Sequence, residues 1–240
     1  MLTVRSLFDL RYTLAAQWLS QFLYPWQGLK GIGELILSLG MALPHEEYLE
    51  LSPRVWVHYT AKIAPSAHIE GPAIIGPYGE VRHCAFIRSN ALVGEHCVIG
   101  NSTELKNVIL FDRVQVPHFN YVGDSILGYR AHLGAGAVTS NVKSDKSLVT
   151  VRGEGRIPTG LKKMGAMIGD YAEVGCNAVL NPGTVLGRNS TVYPTSCVRG
   201  VVPANGIHKN DGTIVAKEQC SILDWGALSL SRGKEEISRG

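Results

Sequence analysis

Aliphatic residues recur every six positions through the middle of the chain, at Val57, Ile63, Ile69, Ile75, Val81, Ile87, Val93, Ile99 and Leu105. The series runs on through Leu110, Val116, Val122, Leu127 and Leu133, with single five-residue steps to Leu110 and Leu127. It resumes at Ile168, Val174, Leu180, Leu186, Val192 and Val198. Four residues after most of these sits a small one, among them Ala61, Ala67, Ala73, Ala85, Ala91, Cys97, Thr103, Ala131 and Ala137. Glycine often follows the aliphatic directly, as at 76, 94, 100, 128, 134, 169, 175 and 187. An aliphatic and a small residue pointing inward in each hexad fill a narrow core, and the glycines are expected to serve corners, including positive-φ turns. Three hexads close a triangular coil of 18 residues, and stacked coils pair their backbones about 4.8 Å apart. A period of six without a 3.6-residue component excludes an α-solenoid. The pattern predicts an all-β solenoid, a parallel β-helix of about seven coils over residues 51–203.

Three segments leave the period. Residues 1–50 read as helical. Leu7, Leu10, Leu14, Leu19 and Leu23 predict one amphipathic helix, and Leu29, Ile32, Leu35, Ile36 and Leu39 a second, punctuated by Pro25 and Gly28. Their apolar faces are expected to pack on the β-helix or on a sister subunit rather than on a membrane. Residues 140–166, rich in Lys, Arg, Gly and Ser, predict a loop ejected from the coil, and long loops of this kind usually carry function. Residues 204–240 read as a weakly patterned tail.

Composition narrows the function classes. A net charge of +3 on 240 residues is too small to argue for nucleic acid and is compatible with a small anionic substrate. Five cysteines, with no C-x-x-C pair, read as reduced thiols of a cytoplasmic protein. His83-Cys84 and His96-Cys97 occupy different positions of the repeat, so no metal site is expected. Neither a signal peptide nor a membrane span is predicted.

Three segments carry a resemblance. They are Gly100-Asn-Ser-Thr-Glu-Leu-Lys-Asn107, Val116-Pro-His-Phe-Asn-Tyr-Val-Gly-Asp124 and Leu133-Gly-Ala-Gly-Ala-Val-Thr-Ser-Asn141. At these spacings they resemble the acetyltransferase half of the bacterial bifunctional glucosamine-1-phosphate acetyltransferase/uridylyltransferases, over residues 57–202. That family's nucleotidyltransferase half has no counterpart in residues 1–50. The resemblance implies a left-handed β-helix, a homotrimer, acetyl-CoA as acyl donor and a sugar phosphate as acceptor. By position it implies His118 as catalytic general base, with Arg88, Lys106 and Tyr121 holding the sugar phosphate. It places His132 and Asn141 near the sugar, and Ala135 and Cys176 along the acyl-CoA arm. The repeat independently stacks Arg88 on Lys106, 18 residues apart, where two cations call for an anion between them. It also stacks His118 beside Ala135.

Tyr193-Pro194 replaces a pair of small residues in the family's acyl-CoA region, and proline has no N–H to offer an acyl-CoA amide. Two function classes therefore stand. One is an acetyltransferase acting on an amino-sugar phosphate or nucleotide sugar. The other is a non-catalytic, sugar-phosphate-binding β-helix with a regulatory or assembly role beside a nucleotidyltransferase.

Overall fold

A computed structural model describes residues 2–218. It is the parallel β-helix that the hexads predict. One side of the coil is built from Val55–His58, Ala73–Ile75, Ala166–Ile168, Thr184–Leu186 and Val201–Val202. The second side runs from Lys62–Ile63 and Glu80–Val81 through Val98–Asn101, Gln115–His118 and His132–Leu133 to Glu173–Val174, Thr191–Val192 and Gly206–His208. The third holds His68–Ile69, Val138–Thr139, Val179–Leu180 and Cys197–Val198. Three longer strands, Phe86–Val93, Glu104–Leu110 and Tyr121–Leu127, run through the corner from the third side onto the first. The stack is about nine layers deep, against the seven coils expected. Tyr48–Ser52 and Ile214–Ala216 cap the two ends antiparallel, and an incomplete last coil adds its strands, none of which the hexad count includes.

The inward positions are those expected. Ile75, Ile87, Ile99, Leu105, Val116, Val122, Leu133, Ile168 and Leu186 are fully buried, as are Ala73, Ala91, Ala131, Ala137, Ala172 and Thr184. Cys97 occupies one of the small slots. Its thiol donates to the Phe111 carbonyl at 3.0 Å, and burial pushes its pKa up to about 12, so it is an inert core residue. Cys220 lies outside the described residues.

The corners correct one expectation. A positive φ recurs every six residues at Tyr78, Cys84, Asn90, His96 and Ser102, and the five-residue steps bring the next ones to Asn107 and Asp124. Most of these residues are not glycine. The glycines after the inward aliphatics have ordinary φ. They are there because the next coil's backbone lies too close for a Cβ, as at Gly100.

The N-terminal segment also differs from expectation. The second helix forms, as a 3₁₀ turn over Pro25–Gly31 running into the helix Ile32–Ala42. The first does not. It breaks into Val4–Leu7, Leu10–Tyr12 and Ala16–Leu19, because the Asp9 carboxylate accepts from the Arg11 N–H and the Thr13 hydroxyl from the Ala15 N–H. Such local side-chain bonds compete with helical ones. The segment lies along the first side of the coil. Phe8 packs on Phe111 at 5.1 Å, Tyr12 stacks on Tyr129 at 3.8 Å, and the Asn107 amide donates to the Leu29 carbonyl. It buries the outward residues of that side, including Ile74, Leu92, Ile109, Ile126, Met167 and Val185. Two sides of the coil are left for function.

The chain leaves the coil between Asn141 and Ala166, a shorter excursion than the 140–166 expected, since the Ser140 N–H bonds the Leu180 carbonyl and Ala166 begins a strand of the first side. The excursion carries an antiparallel hairpin, Thr150–Arg152 with Arg156–Pro158, anchored by the fully buried Val149 and Val151.

Candidate functional site

On the third side, alternate residues point outward, so Arg88, Lys106 and Gly123 form one column in strict register. The sequence places the two cations as the structure does. What lies beside them is a carboxylate each: Arg88 bonds Glu104 at 2.8 Å, and Lys106 lies 3.3 Å from Asp124. The Glu104 contact holds the Arg88 guanidinium above its ordinary pKa. This pair is part exposed and screened by solvent, so it opens at little cost.

The corner that follows is the centre of a polar network. Asn107, Asp124 and Asn141 are 17 residues apart, one per coil, and they stack. Asp124 is almost fully buried and accepts from the Lys106 ammonium, the Asn107 amide at 2.9 Å and the Asn141 amide. Asn141 also donates to the Tyr121 hydroxyl at 3.1 Å. Burial first, then the Asp124 charge, pushes the Tyr121 phenol above its ordinary pKa, so it keeps its proton as a donor. Gly123 leaves room for this network, since a Cβ would lie 2.5 Å from the Tyr121 hydroxyl and 2.9 Å from the Asn141 amide and displace both. The spacing of 17 was a legible sign of this stack, and sequence reasoning assigned no role to Asp124, Glu104 or Asn107.

Asp124→Asn isolates the charge at the centre of this network, because asparagine tolerates the φ of 48° at this corner. It leaves the part-buried Lys106 without its counter-charge. We expect a loss of about 1–3 kcal/mol, read as a lower urea midpoint at unchanged slope.

His118 and Ala135 occupy the other corner of the same side. The Gly136 N–H donates to the His118 carbonyl at 3.0 Å, and the Asn177 N–H to that of Ala135 at 2.8 Å. His118, Ala135 and Cys176 thus form one column. The His118 imidazole is exposed and has no hydrogen-bond partner among the described residues. Its backbone is held by Asn120, a buried amide in a small-residue slot. The Asn120 oxygen accepts the His118 N–H at 3.1 Å, and its nitrogen donates to the carbonyls of Gly134 and Ala137 at 2.8 and 3.0 Å. Among the described residues the N–H groups of Ala135 and Cys176 make no bond, and the next member of the column, Pro194, has none to offer.

His132 stands apart from both groups. It is on the second side, in register with Gln115 and bonded through Nδ1 to Glu173 at 2.8 Å. Among the described residues no three His, Cys, Asp or Glu side chains are grouped to hold a metal ion. None of the described helices is long and apolar enough to cross a membrane.

Comparison with known proteins agrees with the motif resemblance. A family model described as the GMPPB C-terminal domain matches residues 69–156. Bifunctional protein GlmU of Methanococcus vannielii is 34% identical over 146 residues, which are 60% of this chain and 34% of that one. A bifunctional sugar-1-phosphate nucleotidylyltransferase/acetyltransferase of Sulfurisphaera tokodaii is 32% identical over 154 residues, 64% of this chain and 38% of that one. The chain spans about a third of the length of the curated relatives it matches. Among solved structures, PerB of Caulobacter crescentus, in complex with CoA and GDP-perosamine, aligns at a TM-score of 0.38 and 17% identity, covering 78% of this chain and 67% of that one.

Proposed function

We propose that the chain is an acetyltransferase moving an acetyl group from acetyl-CoA to the amine of a phosphorylated or nucleotide-linked amino sugar. The observation that carries this reading is the third side of the coil. One edge holds an unengaged imidazole beside free backbone N–H groups, and the other a buried, hydrogen-bonded polar cluster with cations above it. His118 accepts the proton as the sugar amine attacks the thioester carbonyl carbon. The oxyanion that forms is met by the Ala135 N–H. The C–S bond then breaks, and the thiolate of CoA leaves with a proton. Tyr121 and Asn141 orient the sugar, and Arg88 and Lys106 exchange their carboxylate partners for its phosphate. Cys176 lines the acyl-CoA arm, while His132, bonded to Glu173 on the second side, takes no part in this step. The working unit is a homotrimer, in which a neighbouring coil closes the groove.

A second reading is favoured by Pro194, which extends the Ala135–Cys176 column without a donor, and by the exposed Tyr193 beside it. In it the β-helix binds sugar phosphate without transferring an acyl group. Calorimetric titration with acetyl-CoA, alone and with glucosamine 1-phosphate, separates the two. Saturable acetyl-CoA binding and turnover are expected. Sugar-phosphate binding without acetyl-CoA binding overturns the transferase. Light scattering is expected to give three times the chain mass, and a monomer overturns the shared groove.

A further inference from the structure

Below Asn141 the third side meets the base of the ejected hairpin, and the two enclose a cavity of about 330 Å³. The outward column of Arg88, Lys106 and Gly123 continues down the coil as Ser140, Asn181 and Arg199, as the ladder pairs of the adjacent inward residues show. Ser140, Asn181 and Arg199 form the floor of the cavity, and Lys143, Arg152 and Arg156 stand at its wall. Lys143 is neutralised by Asp145 at 3.4 Å. The three arginines are not. Among the described residues none has a carboxylate within 4.0 Å, and Arg199 makes a single side-chain bond, 3.3 Å to the Asn181 amide oxygen.

The hairpin register sharpens the point. Arg152 and Arg156 are directly opposite one another in the antiparallel pair. Like charges so placed destabilise a hairpin, and here a third guanidinium lines the same cavity. The buried Val149 and Val151 fix the hairpin against the coil, so its arginines stay near Arg199. Three guanidiniums around one cavity, whose one lining carboxylate, Asp145, is taken by Lys143, with hydroxyl and amide groups on the floor, match an anion carrying two or three charges over adjacent phosphates. The clamp formed by Arg88 and Lys106 differs in that each cation there already has a carboxylate.

We infer that this cavity is a diphosphate-binding site for a nucleoside-linked pyrophosphate. The inference concerns binding and holds whether or not the chain transfers an acyl group. Two molecules carry that chemistry: a nucleotide-linked sugar, whose sugar would then lie toward Tyr121 and Asn141, and coenzyme A.

The test is calorimetric titration of the full chain with inorganic pyrophosphate, uridine diphosphate and coenzyme A, repeated on Arg152→Gln/Arg156→Gln and on Arg199→Gln. Saturable pyrophosphate binding that weakens at least tenfold in both variants is expected. The unliganded double variant should melt at the wild-type temperature or above it, because a like-charge pair has been removed, while the ligand-induced rise in melting temperature shrinks. Of the two larger probes, the one whose affinity falls with that of pyrophosphate identifies the source of the diphosphate. Absence of pyrophosphate binding, or binding of equal strength in wild type and both variants, overturns the site and leaves the acetyl-transfer test unaffected.

Discussion

Replacing His118 with alanine should lower kcat for acetyl transfer by about 10²–10⁴-fold, the usual contribution of a positioned general base. The prediction is sharp because the side chain has no structural task. It is exposed, bonds nothing among the described residues, and leaves the corner when truncated without opening a cavity. The backbone that carries it is held by other groups, the Asn120 amide and the Gly136 N–H. Stability should therefore stay within about 0.5 kcal/mol of wild type, as for an ordinary surface substitution. KM for the sugar should change little, since Tyr121 and Asn141 lie on the far edge of the side. Unchanged turnover would remove His118 from the base role whatever the acceptor is, and a folded variant with a lower melting temperature would give the imidazole a packing role at odds with its exposure.

How much of this was legible in the sequence follows from period. Inward positions repeat every six residues, so the hexads alone located the core and the stacking of Arg88 on Lys106. The polar network is easy to miss because two coils are one residue short. Asn107, Asp124 and Asn141 align only at a spacing of 17, and a search at 18 separates them. The cover over the first side was hidden for a different reason. Ile74, Leu92, Ile109 and Ile126 point away from the coil, and the hexad count had no use for them. Their adjacency to inward residues, in runs such as Ala73-Ile74-Ile75 and Val108-Ile109-Leu110, is what a strand buried on both faces looks like. The broken first helix reflects competition that periodicity does not register, since Asp9 and Thr13 sit among well-spaced leucines yet bond their own backbone. The arginine cavity depends on a hairpin inside a segment that reads only as a loop. Neither the facing of Arg152 and Arg156 nor their approach to Arg199 has a period to betray it.

The largest effect on stability should come from Gly100→Ala, which should cost more than about 4 kcal/mol, in the range reserved for a named steric or packing failure. The added Cβ would lie 1.5 Å from the Pro117 carbonyl oxygen, 1.9 Å from its carbon and 2.3 Å from its Cα. All three are backbone atoms, so no side chain can swing aside. Relief would require the strands Val98–Asn101 and Gln115–His118 to part, although they are in register and the Phe119 N–H bonds the Asn101 carbonyl at 2.9 Å. Gly100 has no positive φ, so the loss would measure the spacing between coils alone. Gly155→Ala supplies the control. Its Cβ meets nothing within 4 Å and its φ is ordinary, so the same methyl there should be neutral or slightly stabilising through the unfolded chain. The site is tied to the same contact, because Pro117 directly precedes His118. Any accommodation of alanine at 100 moves the imidazole, and turnover should fall at temperatures where the variant is still folded. A Gly100→Ala protein that melts with wild type would mean that these coils do not approach as closely as the geometry requires, and the placement of His118 beside Ala135 would fall with it.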